Sequence, residues 1–176
     1  MTEQKYTSAN TCIHSKLPEI YNLRKNQLKG KSIIDIGCGK YDNAKKWAEE
    51  NNATVAMYDK YNRTEQENAV ALSRSDYDVS ILSNVLNVIY EPEIRCGLVK
   101  LAVDKAPLVY VTVYQKDGKG NGRETKPDCW QEDRKIDSYV EEIQGYVPEM
   151  EVTRKGKVIE INRKEKQTVD GSKEKM

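Results

Sequence analysis

Three short stretches hold residues whose types and spacing could do chemistry. The first is Ile33-Ile34-Asp35-Ile36-Gly37-Cys38-Gly39-Lys40: an apolar run, an acid within it, then two glycines one residue apart. Glycines at that spacing let the chain turn sharply and let a ligand approach without meeting a Cβ. A helix beginning just after them would aim its free N–H groups at the same place. Asp35, two residues before the first glycine, suits a cationic group such as an ammonium or a sulfonium. A dinucleotide fingerprint would need a third glycine where Asp42 stands, and a carboxylate there would repel a pyrophosphate. The Gly-Lys-Ser/Thr spacing of a phosphate loop is missing too. The second stretch is the apolar run Ala53–Tyr58 closed by Asp59, an acid placed to accept both hydroxyls of a ribose. The third is Ser83-Asn84-Val85-Leu86-Asn87, which puts a hydroxyl and two amides at the end of another apolar run.

Together these residues resemble the class I S-adenosylmethionine-dependent methyltransferases, over roughly Lys31 to Ile161. The resemblance implies that the glycine loop, Asp35, Gly37, Cys38 and Gly39, holds the methionine half of S-adenosylmethionine, and that Asp59 holds its ribose. It also implies that Ser83, Asn84 and Asn87 border both cofactor and substrate, which makes Asn84 and Asn87 catalytic candidates. Asp59-Lys60-Tyr61-Asn62-Arg63 with Asn84-Val85-Leu86-Asn87-Val88-Ile89 is further similar to small methyltransferases of phages and mobile elements. One departure stands out. The family usually carries another strand and helix after the ribose acid, and an acid ending that strand often faces the adenine. The stretch 60–77 has room for one helix only. One strand–helix unit is therefore expected to be missing, which leaves adenine to Lys60, Tyr61 or the backbone near Ser83.

The elements that must position these residues can be read from period and punctuation. The stretch up to Leu17 is polar and without clear period, a mobile arm or helical lid. Pro18 opens a helix over Glu19–Leu28 that stops at Gly30. Lys31–Ile36 reads as a buried strand. Asp42–Glu50 reads as a helix with Ala44, Trp47 and Ala48 on one face. Ala53–Tyr58 is the second strand. Thr64 and Glu67 form a capping-box pattern before a helix with Ala69, Val70 and Leu72. Asp78–Leu82 is the third strand, Pro92 starts a helix through Ile94, Leu98, Leu101 and Ala102, and Leu108–Tyr114 is the fourth strand. Gln115–Lys126 is expected to be a long exposed loop and Ile136–Gln144 a helix. Met150–Thr153 and Lys157–Ile161 flank Lys155-Gly156 as a tight hairpin. Alternating strands and helices imply an α/β, Rossmann-like three-layer sandwich: a mostly parallel sheet of about six strands, with antiparallel pairing added by the C-terminal hairpin. We expect one domain over 1–163, with 1–17 as a candidate lid and 164–176 as a disordered tail.

Composition narrows the function. The 176 residues carry 29 Lys plus Arg against 28 Asp plus Glu, a formal net charge of +1, so the chain has no global footprint for nucleic acid. The mixed charges of Arg123, Lys126, Arg134 and Lys135 with Glu124, Asp128, Glu132 and Asp133 read as a solvated face. No apolar run spans a membrane, and MTEQKYTSAN lacks a signal-peptide core. Four separated cysteines and a single histidine argue for free thiols in a reducing cytoplasm and against a metal site. That histidine, His14, is a general-base candidate. Tyr114, Trp130 and Gln131 are candidates for the substrate wall. Two readings of function stay open: methyl transfer to an acceptor that could be nucleic acid, protein or a small molecule, and non-catalytic binding or sequestration of S-adenosylmethionine.

Overall fold

Strand β1 (Ser32–Ile36) sends its side chains alternately to two apolar layers, and that alternation organises the domain. Ile33 is buried with Tyr21, Leu28, Trp47, Met57 and Ile81 on one face. Ile34 and Ile36 are buried with Leu82, Val99, Val109, Tyr139 and Ile159 on the other. Burying each such side chain contributes about 1.5–3 kcal/mol. The computed structural model describes residues 2–8 and 15–164. His14 and the tail beyond 164 lie outside the described residues.

Three helices from the first third of the chain cover the first face: α1 (Ile20–Leu23), α2 (Lys25–Leu28) and α3 (Asn43–Glu50). The single helix expected over Glu19–Leu28 is thus two short ones, broken at Arg24, whose φ of −123° is not helical. Strand β2 (Thr54–Tyr58) pairs parallel with β1. Helix α4 (Glu65–Leu72) follows, with both halves of the Thr64–Glu67 capping box formed. Its buried residue is Ala71, whereas Val70 is 62% exposed, so the inward face differs from the one its apolar residues suggested. No strand lies between β2 and β3 (Val79–Ser83), as expected from the shortness of that stretch.

A 3-10 turn at Leu86–Val88 leads into α5 (Pro92–Lys105), then β4 (Leu108–Thr112), shorter than the run to Tyr114. Residues 115–122 form a loop, but the rest of the expected loop is not one. Strands β5 (Arg123–Lys126) and β6 (Cys129–Gln131) make a separate antiparallel hairpin. The charged β5 sequence hides a strand that is exposed throughout, so no burial period marks it. Helix α6 (Ile136–Tyr146) and the hairpin β7 (Met150–Lys155) and β8 (Val158–Arg163) complete the chain. Gly156 at φ 63° makes that last turn.

The main sheet has six strands in the order β2-β1-β3-β4-β8-β7, with β8 antiparallel to β4 and to β7 and the other pairs parallel. Helices α4, α5 and α6 pack on the second face. This is the Rossmann-like three-layer sandwich expected from the sequence. Between α5 and α6 lies a partly buried network. Glu142 accepts from Arg95 Nε at 2.8 Å, Arg134 Nη1 at 2.8 Å and the Tyr146 hydroxyl at 2.8 Å. Burial alone would raise the Glu142 pKa, but the hydrogen bonds from Arg95 and Arg134 hold it below the usual value. Arg134 also covers the Tyr139 ring at 4.0 Å, so it belongs to this network and not to a solvated face. Arg95 Nη1 donates to the carbonyls of Ile89 and Tyr90, which fixes the chain where it enters α5.

Candidate functional site

The carboxyl ends of β1, β2 and β3 meet around a cavity of about 140 Å³. Open α/β sheets bind ligands at this edge. Gly37 and Gly39 line the cavity, and both have φ of +73°, a conformation open chiefly to glycine. At Gly37 a Cβ would come within 2.7 Å of the Val85 side chain, so the glycine lets the loop lie directly against the end of β3. Asp59, Lys60, Tyr61 and Asn62 line the cavity from the β2 side, and Asn84 and Val85 from β3. Asn84 sits at φ +53°, a left-handed position that asparagine tolerates better than most residues. Its N–H donates to the Thr112 carbonyl at 2.9 Å, tying β3 to β4 as both end.

Two carboxylates define the electrostatics. Asp35 is 2% exposed, below the loop, and its Oδ2 accepts the Tyr21 hydroxyl at 2.7 Å. Its Oδ1 is buried without a partner among the described residues. Burial pushes its pKa up to about 7, against the pull of the Tyr21 hydrogen bond and the Arg63 charge, with the nearby Asp59 charge raising it further. Asp59 is tied to its surroundings. Its Oδ2 accepts the Gly39 N–H at 2.9 Å, and its Oδ1 accepts the N–H groups of Tyr61 at 3.0 Å and Asn62 at 3.1 Å. The acid that sequence reasoning gave to a ribose therefore also joins the β2 loop to the glycine loop.

Arg63 is the residue that sequence reasoning missed in this role. Its Nε donates to the Gly39 carbonyl at 2.8 Å, Nη2 donates to the Tyr41 carbonyl, and Nη1 pairs with Asp42 at 2.6 Å. A guanidinium offers five donors in a fixed fork, which suits it to holding a loop by its carbonyls. The one signal in the chain was Glu67, four residues on, whose carboxylate Arg63 also meets at 3.2 Å.

The remaining candidates fall outside the cavity wall. Cys38 is buried, its thiol directed at the Gly39 carbonyl, and burial pushes its pKa far up; it packs the loop as an inert thiol. Ser83 is buried and accepts from the Thr112 hydroxyl. Asn87 is 1% exposed with both amide atoms unpartnered among the described residues, while its backbone carbonyl accepts the Glu132 N–H. Tyr114 is exposed past the end of β4. Gln131 turns its amide to the Glu132 carbonyl. Trp130 stacks on Tyr6 at 5.4 Å and meets Tyr90 edge-on at 4.9 Å, so it anchors its hairpin.

Tyr6 shows why the opening segment is not simply polar. Residues 2–8 form a strap in which Tyr6 is 6% exposed. The Thr7 N–H donates to Asp128 Oδ1 at 3.0 Å, the Thr7 hydroxyl to Oδ2, and the Ser8 N–H to the Asp128 carbonyl at 2.9 Å. The Lys5 N–H donates to Glu91 at 2.8 Å. Gln4, Thr7 and Ser8 line the same cavity as the glycine loop. The strap is thus part of that cavity's wall. Among the described residues no His, Cys, Asp and Glu cluster could hold a metal ion, and no helix is long and apolar enough to cross a membrane.

Comparison with solved structures matches this architecture. The 1,6-didemethyltoxoflavin-N1-methyltransferase of Burkholderia thailandensis, solved with 1,6-didemethyltoxoflavin and S-adenosylhomocysteine, superposes with a TM-score of 0.58 at 12% identity, covering 81% of this chain and 75% of that one. The two proteins share a Rossmann-like fold. The N-terminal domain of EvdMO1, with S-adenosylhomocysteine bound, is also similar, at 13% identity and a TM-score of 0.48, covering 81% of this chain and 77% of that one. No protein-family model matches the sequence, and no curated protein matches it.

Proposed function

We propose that this chain is an S-adenosylmethionine-dependent methyltransferase. The observation that carries the reading is the glycine loop that lines the cavity beside Asp59, with the buried Asp35 carboxyl beneath it and outside the cavity wall. Asp59 lies in the wall, and the Asp35 Oδ1 beneath the loop has no partner among the described residues. An anionic cofactor would be repelled there, whereas a ligand with an ammonium and a sulfonium complements both acids. Gly37 and Gly39 would accommodate the methionine half, Asp35 its ammonium, and Asp59 the ribose by exchanging some of its loop hydrogen bonds. When bound, the group supplies a methyl already made electrophilic by the sulfonium. The chain's own residues then have to align the acceptor and exclude water. Asn84, half-buried at the cavity wall, is positioned to orient an acceptor by hydrogen bonding, and the strap with its β5–β6 hairpin to cover it. The stretches Asp59-Lys60-Tyr61-Asn62-Arg63 and Asn84-Val85-Leu86-Asn87-Val88-Ile89 support placing the chain with the small methyltransferases of phages and mobile elements.

Calorimetry should give micromolar binding of S-adenosylmethionine and S-adenosylhomocysteine and no comparable binding of NAD; tight NAD binding without the sulfonium ligand would reverse the assignment. A labelled-methyl screen across DNA, RNA, protein and metabolites should then identify the acceptor. Binding without transfer to any acceptor class would instead indicate a cofactor-sequestering protein.

Asp59→Ala should weaken S-adenosylhomocysteine binding by about 1.5–3 kcal/mol, the scale of charge-assisted hydrogen bonds. Part of that loss comes from freeing the Gly39 N–H, so glycine-loop amides should also exchange faster with solvent. Unchanged affinity in a folded variant would remove Asp59 from the site.

A further inference from the structure

We infer that the base of the adenosyl ligand is held in an apolar slot built by the first two turns of α5 and roofed by the N-terminal strap. This inference rests on the cofactor reading above. It assigns the base to elements other than a strand-end acid, because the chain has no strand between β2 and β3 that could carry one. Two ends of the cavity are already accounted for. Gly37 and Gly39 mark the amino-acid end, and Asp59 the ribose. The rest of the wall is mostly apolar, with Val88 and Ile89 from the chain entering α5, Ile94 and Leu98 from α5, and Tyr61 from the β2 loop.

Ile94 and Leu98 are four residues apart and so share one face of α5. Both are only partly buried although they pack against the main core, so they have surface left to give to a ligand. In the usual arrangement a further strand and helix would stand beside β2. Here β2 is the edge strand, and the α5 face is left to close the cavity. A planar aromatic base gains from such a surface by burying apolar area, without needing a dedicated charge.

The roof is held by the segment that leads into the slot. Tyr6 meets Tyr90 edge-on at 6.2 Å and stacks on Trp130, and the Lys5 N–H reaches Glu91, the residue just before α5. Strap, slot and hairpin are therefore one packed unit. Seating of the strap and occupation of the slot should accompany each other.

The test uses S-adenosylhomocysteine and methylthioadenosine, which shares its base and ribose but lacks the amino-acid ammonium. By calorimetry on the full chain, Leu98→Trp should bind both ligands at least about tenfold more weakly than the natural protein. Asp35→Asn should weaken S-adenosylhomocysteine alone. If the natural protein binds both ligands and a folded Leu98→Trp binds both within about threefold of it, the slot is overturned while the cofactor reading stands. If the natural protein binds neither, both readings fall. A second measurement needs no variant: photolabelling of the natural protein with an azidoadenosyl derivative should mark peptides spanning 85–98 or 2–8. Labelling confined to other segments would overturn the slot even where Leu98→Trp does not fold.

Discussion

Gly37→Ala should destabilise the protein by about 2–5 kcal/mol and remove cofactor binding. Two costs add. A residue with a Cβ held at φ +73° is strained by about 1–2 kcal/mol. The new methyl would also meet Val85 at 2.7 Å, and overpacking of this kind costs about 1–3 kcal/mol. Val85 is β-branched and buried, so it cannot swing aside cheaply. The two costs can be separated with the double variant Gly37→Ala, Val85→Ala. Removing the valine branches should recover the overpacking cost and leave the backbone strain. In urea, the single variant should lower the midpoint without changing the slope. A midpoint equal to that of the natural protein would mean that the loop turns without needing its glycine.

Asp35→Asn should weaken binding of S-adenosylhomocysteine by about 1.5–3 kcal/mol, which is the loss of one charged hydrogen bond. Its pH dependence makes the prediction specific. In the free protein the carboxyl titrates near 7, raised chiefly by burial. A cationic ligand needs the ionised form, so below pH 7 binding must expel a proton. The natural protein's affinity should fall by about tenfold per pH unit below that point and level off above it, whereas the Asn variant should lack this step. Stability has the opposite sign. Because the folded pKa lies above the unfolded value, the folded chain holds a proton that the unfolded chain has lost between about pH 4 and 7. The stability this contributes is fully present in acid and disappears as the pH rises through 7. The Asn variant escapes that loss, so its stability relative to the natural protein should improve across the same interval. A pH-independent affinity in the natural protein would detach Asp35 from the ligand.

The sequence by itself determined most of the sheet, because its parallel strands read as apolar runs, with the central β1 and β3 buried along nearly their whole length and the edge strand β2 closed by Asp59. It also determined the glycine turn, the capping box at Thr64, the final hairpin at Gly156 and the missing strand after β2, since each rests on local stereochemistry or on the length of chain available. Contacts between distant segments left no local mark. Arg63 looks like any basic residue before a helix until the fold brings the Gly39 and Tyr41 carbonyls to it. Asp59 was legible as an acid at a strand end, but not as a clamp on a loop that lies elsewhere in the sequence. The strand Arg123–Lys126 has no apolar alternation, because it pairs with its neighbour in solvent and not against the core. Tyr6, in an otherwise polar segment, is buried only because Trp130 and Tyr90 arrive from two other parts of the chain. The chemistry of the loop was therefore local and readable, while the closure of the cavity was decided by long-range packing.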